Sequence, residues 1–341
     1  MRAVSNRQRI RLGFVPLVDC APFIVAAELG GFKRRGLNVT LSRELGWASV
    51  RDKILYGELD AAHALGPMVF LLSLGLGGAQ CPCFTPLVIS AQGNAITISR
   101  ELWDAGVRDA SGIREWRAKH HARERLTFGI VFPYSAHHVM LRQWLLAGGI
   151  NLESDVRFVV VPPPQMVANL KAGHLHGYCA GEPWNQLAVQ TGIGFRAACS
   201  SELAPRHPEK VLLVREEAWT NREDELLALA TTVLEACAYC ADPANAESVA
   251  DLLAERRFIG VSRAAIVASL LGDQPPKAAR PILFHGAEVN DPTVDKSSWI
   301  ATELHRAGML SQTVSAPRLS AMFRSDLFQK LHQSSPKLVE S

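Results

Sequence analysis

Apolar residues along the chain fall into short runs, and longer segments with helical spacing separate these runs. Runs of six or seven residues that are rich in Val, Ile and Leu, and that end at polar residues, Gly or Pro, predict buried β-strands. Seven such runs are "IRLGFV" (10–15), "LNVTLS" (37–42), "LDAAHAL" (59–65), "PLVISA" (86–91), "LTFGIV" (126–131), "VRFVVV" (156–161) and "LHGYCA" (175–180).

The segments between the runs have the apolar spacing of helices. "APFIVAAELGGF" (21–32) and "HHVMLRQWLLAGGI" (137–150) are examples, and the second ends on a glycine pair that is typical of a helix C-terminus. Beyond residue 216, three amphipathic segments predict further helices. Strands that alternate with helices in this way predict an α/β fold with mostly parallel sheets.

Two strand-and-helix units repeat one another. The matching positions are Gly57, Leu59, Ala61 and Pro67 in the first unit and Gly173, Leu175, Gly177 and Pro183 in the second. Each unit reads as a helix stopped by glycine, a short strand and a helix that begins at proline. Chance recurrence of such turns in α/β proteins is the alternative interpretation. We favour two similar lobes, because both units deliver a strand end to the edge where open α/β sheets bind ligands.

The length of the chain agrees with two lobes that share one cleft, since 341 residues exceed the usual size of a single core. We predict that residues 10–92 and 215–330 form the first lobe and that 93–214 form the second. Residues 1–9 and 331–341 are predicted to be loose termini.

Charge and hydropathy then narrow the class of protein. The net charge of +3 does not predict nucleic-acid binding. The polar, basic start and the short apolar stretch at 68–77 fit neither a signal peptide nor a membrane span. We therefore expect a soluble, cytoplasmic protein with no direct contact to nucleic acid or membrane.

The seven cysteines do not predict a metal site. Cys237 and Cys240 form a CxxC inside a helical pattern, and Cys81 and Cys83 form a CPC in a probable loop. A second cysteine pair at zinc spacing is missing from the sequence. Free thiols packed as small apolar residues are expected, with no metal and no cofactor.

Several strings resemble the NrtA/CmpA family of nitrate- and bicarbonate-binding proteins, which are relatives of periplasmic binding proteins. These strings are "LSRELGWASVRDKILYGELDAAHALGPM", "GNAITIS" and "VVVPPPQMVANLKAGHLHGYCAGEPWNQ". The likeness runs from about residue 10 to 330 and implies a two-lobed, periplasmic-binding-protein-like fold of type II with a central ligand cleft. Within this family, the version that lacks a leader peptide resembles the NasS-type cytoplasmic nitrate/nitrite sensors.

The resemblance implies four ligand-binding residues. They are Trp47 in "GWASVRD", Asn94 in "GNAIT", His137 in "YSAHHVM" and Lys210 in "RHPEKV". Asn94 departs from the pattern, because transport relatives carry Gln there, so its amide is retracted by roughly 1.5 Å. Lysine at 210 points to nitrate or nitrite, since the bicarbonate-binding branch carries an acidic residue at this position.

The chemistry of these residue types suits a small monovalent oxyanion, which needs one cation and several oriented donors. Each residue also has a structural alternative: Trp47 as core packing, His137 as a helix cap with His138 in its place, and Lys210 as a surface lysine. Four more residues are predicted to line the cleft rather than to react, namely His63, Tyr178, Glu182 and Trp184.

The leading functional hypothesis is a cytoplasmic nitrate/nitrite sensor that controls an RNA-binding antiterminator of the NasT (ANTAR) type, a partner that the resemblance implies. The receptor of a nitrate ABC transporter is the alternative. A less favoured alternative from another class is a pyrimidine-forming enzyme of thiamine biosynthesis with the same fold, which would use Cys81, Cys83, Cys179 and His63. We expect a binding protein rather than an enzyme.

Overall fold

The computed structural model describes residues 9–120, 124–272 and 282–333. Its strands are β1 (Ile10–Phe14), β2 (Val39–Arg43), β3 (Ala61–Leu65), β4 (Cys83–Phe84), β5 (Val88–Ala91), β6 (Asn94–Ser99), β7 (Leu126–Ile130), β8 (Val156–Val160), β9 (Gly177–Gly181), β10 (Gly194–Cys199) and β11 (Pro208–Arg215). Every one of the seven predicted runs contains a strand, whereas β4, β6, β10 and β11 were not among them.

Helices fill the connections. They are α1 (Ala21–Glu28), α2 (Gly31–Arg34), α3 (Trp47–Leu55), α4 (Gly66–Leu74), α5 (Arg100–Asp104), α6 (Ala110–Lys119), α7 (Ala136–Ala147), α8 (Met166–Lys171), α9 (Trp184–Gln190), α10 (Ser200–Leu203), α11 (Glu216–Asn221), α12 (Glu223–Ala241), α13 (Ala246–Leu253), α14 (Arg263–Leu271), α15 (Ala287–Asn290), α16 (Val294–Arg306), α17 (Ala316–Met322) and α18 (Ser325–Gln333). Single 3-10 turns lie at Val18–Cys20, Pro163–Gln165 and Pro243–Asn245.

The strands form two separate sheets. The larger apolar cluster extends from the first sheet to Tyr178 and Ala180 on β9, and a smaller cluster lies within the second sheet and its helices. The first sheet has the order β2-β1-β3-β11-β4, with β5 also paired to β11, and β1, β2 and β3 run parallel. The second has the order β10-β6-β9-β7-β8. We call the first sheet with its helices the first lobe, and the second sheet with its helices the second lobe. In the first lobe α1 packs on α12, and in the second α7 packs on β9.

One predicted lobe assignment is wrong. Residues 208–214 were assigned to the second lobe, but β11 pairs antiparallel with β3 in the first sheet. The chain therefore re-enters the first lobe at Pro208. At the other end, the predicted loose tail from 331 is wrong for its first residues, because α18 continues to Gln333 and Leu331 is fully buried. Residues 1–8 and 334–341 lie outside the described residues.

The two segments that cross between the sheets are hydrogen-bonded to each other. Gln92 stands in the first crossing and Arg206 in the second, and both adopt the left-handed region, with φ of 65° and 58°. The backbone N–H of Arg206 donates to Gln92 Oε1 at 3.0 Å, and Gln92 N–H donates to the His207 carbonyl at 3.2 Å. Non-glycine residues in this region carry strain of about 1–3 kcal/mol each, which surrounding contacts must hold.

Most helices in the described part of the chain are shorter than the thickness of a bilayer. No single one of them is long and apolar enough to span a membrane, and only the bent pair α12 with Pro243–Leu253 reaches the required length and composition together.

Candidate functional site

A cluster of buried charged residues lies where the two lobes meet. At its centre is Lys210 on β11, which is fully buried. Its Nζ lies 2.7 Å from Glu209 Oε1 and 2.9 Å from Asp19 Oδ2. Asp19 sits in the 3-10 turn that follows β1, and its other carboxylate oxygen lies 2.9 Å from His63 Nε2 on β3. Three segments of the first lobe therefore supply the charged groups.

The second lobe and helix α3 complete the surroundings of this cluster. His137 Nδ1 lies 3.5 Å from Glu209 Oε1, and Lys210 Nζ lies 5.5 Å from the centre of the Trp47 ring. Asn94, at the start of β6, is buried, and its Oδ1 lies 3.5 Å from where a Cβ on Gly181 would stand. Asp19 Oδ2 lies 3.7 Å from the same point. All four residues implied by the resemblance thus converge on one place.

Local structure explains how the side chains reach the cluster. Trp47 is the first residue of α3, directly after the extended Gly46, and its ring packs on His63 at 5.4 Å between centroids. His137 is the second residue of α7, whose N-cap Ser135 accepts a hydrogen bond from the His138 N–H. Because the first N–H groups of a helix have no partner within the helix, the start of α7 also adds positive potential near His137.

Glu209 and Lys210 are neighbours in one strand, yet both contact the cluster. Side chains of consecutive strand residues normally point to opposite faces of a sheet. The pairing of β11 with β5 shifts register on both sides of Lys210, which is a bulge or similar irregularity. Such an irregularity redirects a side chain, so it accounts for the adjacent carboxylate and ammonium group at one site.

The charged groups hold one another in their ionised forms. Burial alone would lower the pKa of Lys210, but Asp19 and Glu209 outweigh it and raise that pKa. Burial likewise opposes ionisation of both carboxyls, but Lys210 together with the neighbouring histidines outweighs it and lowers the pKa of Asp19 and of Glu209. These three residues therefore carry one positive and two negative charges at neutral pH.

His137 and His63 are neutral at the same pH. Burial lowers the pKa of His137 to about 4, against the opposing charge of Glu209, and it also lowers the pKa of His63. With neutral imidazoles the cluster has a net charge of −1. A bound anion must therefore be held by oriented donors and by any proton that the site takes up.

Several polar atoms around Lys210 are buried and have no hydrogen-bond partner among the described residues. They include Trp47 Nε1, both amide atoms of Asn94, His137 Nε2 and Ser90 Oγ. Buried polar groups are nearly always hydrogen-bonded, and leaving one unmade costs about 1–3 kcal/mol. Most of these atoms are donors, so the arrangement is suited to a small ligand that accepts hydrogen bonds.

The predicted cleft-lining residues divide into two groups. His63 belongs to the charged cluster. The other three connect segments through their own hydrogen bonds: Tyr178 Oη donates to the Trp184 carbonyl at 2.8 Å, and Trp184 Nε1 donates to the Pro16 carbonyl at 3.0 Å. The Glu182 carboxylate accepts from the Gln186 N–H at 2.9 Å, and its carbonyl accepts from the Val18 N–H at 2.8 Å. The Trp184 and Glu182 contacts with residues 16 and 18 join the two lobes beside Asp19.

Sequence reasoning missed four members of the site: Asp19, Glu209, Ser90 and His207. His207 Nε2 lies 3.0 Å from Glu209 Oε2, so it binds the carboxylate that faces Lys210. The string "HPEK" contains both His207 and Glu209, and only its lysine was selected. For Asp19 the available signal was its position a few residues after the buried strand β1, at the edge where such sheets bind ligands.

The residues of the enzyme alternative are not assembled for nucleophilic catalysis in the described structure. His63 faces Asp19, while Cys81 and Cys83 lie at β4. Cys179 is buried on β9, and burial raises the pKa of its thiol far above the usual range. In the described residues no group of three or more His, Cys, Asp or Glu side chains is arranged to hold a metal ion.

Comparison with known proteins identifies the family. The model of the NMT1-like family matches residues 3–254. The chain belongs to the NMT1-like family. One relative is the nitrate import ATP-binding protein NrtC of Synechocystis, which is 39% identical to the chain over 309 residues. The alignment covers 88% of the chain and 46% of NrtC. The bicarbonate transport ATP-binding protein CmpC of Synechococcus elongatus is 40% identical over 306 residues, covering 89% and 46%. The chain thus spans about half the length of these relatives.

Binding proteins and solved structures extend the comparison. The nitrate/nitrite binding protein NrtA of Nostoc is 30% identical over 337 residues, covering 94% of the chain and 76% of NrtA. The crystal structure of the periplasmic nitrate-binding protein NrtA from Synechocystis matches with a TM-score of 0.90 and 27% identity, covering 96% and 89%. The predicted NrtA/CmpA-type family and the periplasmic-binding-protein-like fold are confirmed. The likeness to NasS-type sensors in particular stays a prediction.

Proposed function

We propose that this chain binds nitrate or nitrite in the cluster around Lys210. The observation that carries the proposal is the set of buried, unpartnered donors that surround a fully buried lysine. Nitrate and nitrite accept hydrogen bonds but have no proton to donate at neutral pH, so they match a site of this composition. Relatives named as nitrate-binding proteins support the same ligand class.

Nitrate- and bicarbonate-transport relatives match the chain equally well, so overall similarity does not distinguish the two ligands. The chemistry of Lys210 does distinguish them. A lysine only donates hydrogen bonds, whereas bicarbonate has an O–H that needs an acceptor. The carboxylate oxygens of Asp19 and Glu209 already face Lys210, His63 and His207. Nitrate or nitrite therefore leaves fewer groups unsatisfied than bicarbonate does.

Calorimetric titration with nitrate, nitrite, bicarbonate and sulfate tests this proposal. We expect saturable heats for nitrate and nitrite and none for sulfate, whose second negative charge adds repulsion in a cluster that already carries −1. Bicarbonate is expected to bind at least about tenfold more weakly, the effect of one unsatisfied buried group. Bicarbonate binding tighter than nitrate would contradict the assignment.

For the biological role we propose a cytoplasmic sensor whose occupancy controls a NasT-like antiterminator. The likeness of the site strings to the family supports it, and relatives named as import proteins support a transport receptor equally. A ligand shifts a complex only by its differential affinity for the free and partner-bound forms. The resemblance implies the direction: the empty protein binds the antiterminator, and the nitrate-bound protein releases it.

Co-purification with and without millimolar nitrate measures this release, and sulfate serves as the salt control. A reporter that is active only after export, fused to the natural gene product, separates the two roles. Export activity together with a complex that survives saturating nitrate would favour the transport receptor and reject the sensor.

A further inference from the structure

Two thiols at the edge of the first sheet lie close enough to react with each other. The Cys83 thiol donates to the Cys81 sulfur at 3.8 Å. The other five cysteines lie elsewhere in the fold, with Cys237 and Cys240 both on α12, and all seven are free. Cys81 and Cys83 flank the exposed Pro82, so this pair lies just beneath the surface rather than in the deep core.

The backbone holds the pair in place. Ser73 Oγ donates to the Cys83 carbonyl at 2.6 Å and accepts from the Cys83 N–H at 3.1 Å, while the Cys81 N–H donates to the Leu72 carbonyl at 2.9 Å. Cys83 also pairs in register with Arg215 at the end of β11. The two sulfur atoms are thus presented from anchored segments, and closing their distance to the roughly 2 Å of a disulfide needs only a local movement.

The two thiols differ in acidity. The Cys83 S–H and the neighbouring Arg215 guanidinium lower the pKa of Cys81 to about 6. The same interaction and burial raise the pKa of Cys83 well above its usual value. One sulfur is therefore a thiolate at neutral pH and the other keeps its proton, the division that thiol–disulfide exchange requires.

A cavity of about 210 Å³ opens beside Cys83. Its lining includes Pro82, Glu216, Arg318 and Arg324, and the Arg324 guanidinium also donates to both carboxylate oxygens of Asp326. The Arg318 guanidinium in this lining can bind a carboxylate group of a small molecule.

We propose that Cys81 and Cys83 form a reactive dithiol that undergoes thiol–disulfide exchange with small acidic disulfides, of which oxidised glutathione is an example. The Cys81 thiolate attacks one sulfur of the disulfide, forms a mixed disulfide and expels one glutathione thiolate. Cys83 then attacks the Cys81 sulfur and expels the second glutathione thiolate, which takes up the Cys83 proton. Two protein thiols are oxidised and one disulfide is reduced to two thiols.

Mass spectrometry of the full chain after incubation with oxidised glutathione tests the proposal. The tryptic peptide 54–100 contains Cys81 and Cys83 and no other cysteine. In the wild type we expect this peptide to lose the mass of two hydrogen atoms. Cys83→Ser should instead accumulate a stable glutathione adduct on Cys81, and Cys81→Ser should gain neither product. Absence of the adduct from Cys83→Ser would overturn the proposal.

A second measurement, made on the wild type, does not depend on how the two cysteine variants fold. Alkylation of Cys81 should follow a pH profile with a midpoint near 6, and Arg215→Gln should move this midpoint upward. The pH midpoint of alkylation is measured rather than its rate, because the intrinsic reactivity of a thiolate falls as its pKa falls. Cys20 and Cys237, both fully buried, are internal controls that should stay unmodified. A Cys81 midpoint in the range of an ordinary thiol would also overturn the proposal.

Discussion

Replacing Lys210 with methionine should lower the affinity for nitrate by about a thousandfold. Two unit charges about 4 Å apart interact by roughly 4 kcal/mol at an effective dielectric near 20, which corresponds to about three powers of ten in Kd. Calorimetric titration of Lys210→Met with nitrate measures the loss. Lys171→Met is the matched control, because this lysine is exposed on α8 and should leave affinity unchanged.

Loss of a buried ion-pair partner also affects the fold, so the experiment needs a second variant. Removing one member of a buried pair costs about 3–5 kcal/mol, and Lys210→Glu would place three carboxylates together. Glu209→Gln combined with Lys210→Met keeps the wild-type net charge of −1 in the cluster. If Lys210 contacts the anion, this double variant remains unable to bind nitrate; recovered binding would show that the lysine acts only through the net charge.

Nitrate should bind more tightly as the pH falls, by up to about tenfold per unit. In the empty protein burial lowers the pKa of His137 to about 4. A bound anion raises the pKa of His137. At a pH between the pKa of His137 in the empty protein and its pKa in the complex, each binding event takes up a proton, so the affinity for nitrate decreases as the pH rises. Calorimetry in buffers with different ionisation enthalpies counts the proton directly.

His138 provides a matched control for this experiment. Burial lowers its pKa to about 4 as well, but its Nδ1 lies 2.9 Å from the Pro133 carbonyl and its ring packs on Phe158, away from the cluster. His137→Gln should abolish the pH dependence, and His138→Gln should leave it intact. Other titratable groups also face the site, namely Asp19, His63, His207, Glu209 and Lys210. A pH dependence that survives in His137→Gln would assign the proton to one of the other histidines.

Much of the fold was predictable because strand and helix periods are local properties. The run at 126–131, for example, is mostly apolar and forms β7, which lies between β9 and β8 in the second sheet. β11 was missed although it is mostly buried, because "PEKVLLVR" begins with charged residues that interrupt the apolar pattern. Its place in the first sheet depends on long-range pairing with β3, which no local pattern encodes.

The site was only partly predictable for a similar reason. The resemblance led to Trp47, Asn94, His137 and Lys210, and the repeat led to His63. Glu209 could not be placed beside Lys210 by strand alternation, which puts neighbouring residues on opposite faces. The register shift at Lys210 overrides that rule. Asp19 becomes a member of the site only through the tertiary contact with Lys210.

Strand β11 carries Lys210 near one end and, five residues later, Arg215 beside the thiol pair. The two places are about 17 Å apart along an extended chain. Thermodynamic coupling between two sites is reciprocal: if oxidation of the dithiol changes the affinity for nitrate by some factor, nitrate must change the oxidation equilibrium by the same factor. Two independent titrations of one protein, one electrochemical and one calorimetric, must therefore give the same number.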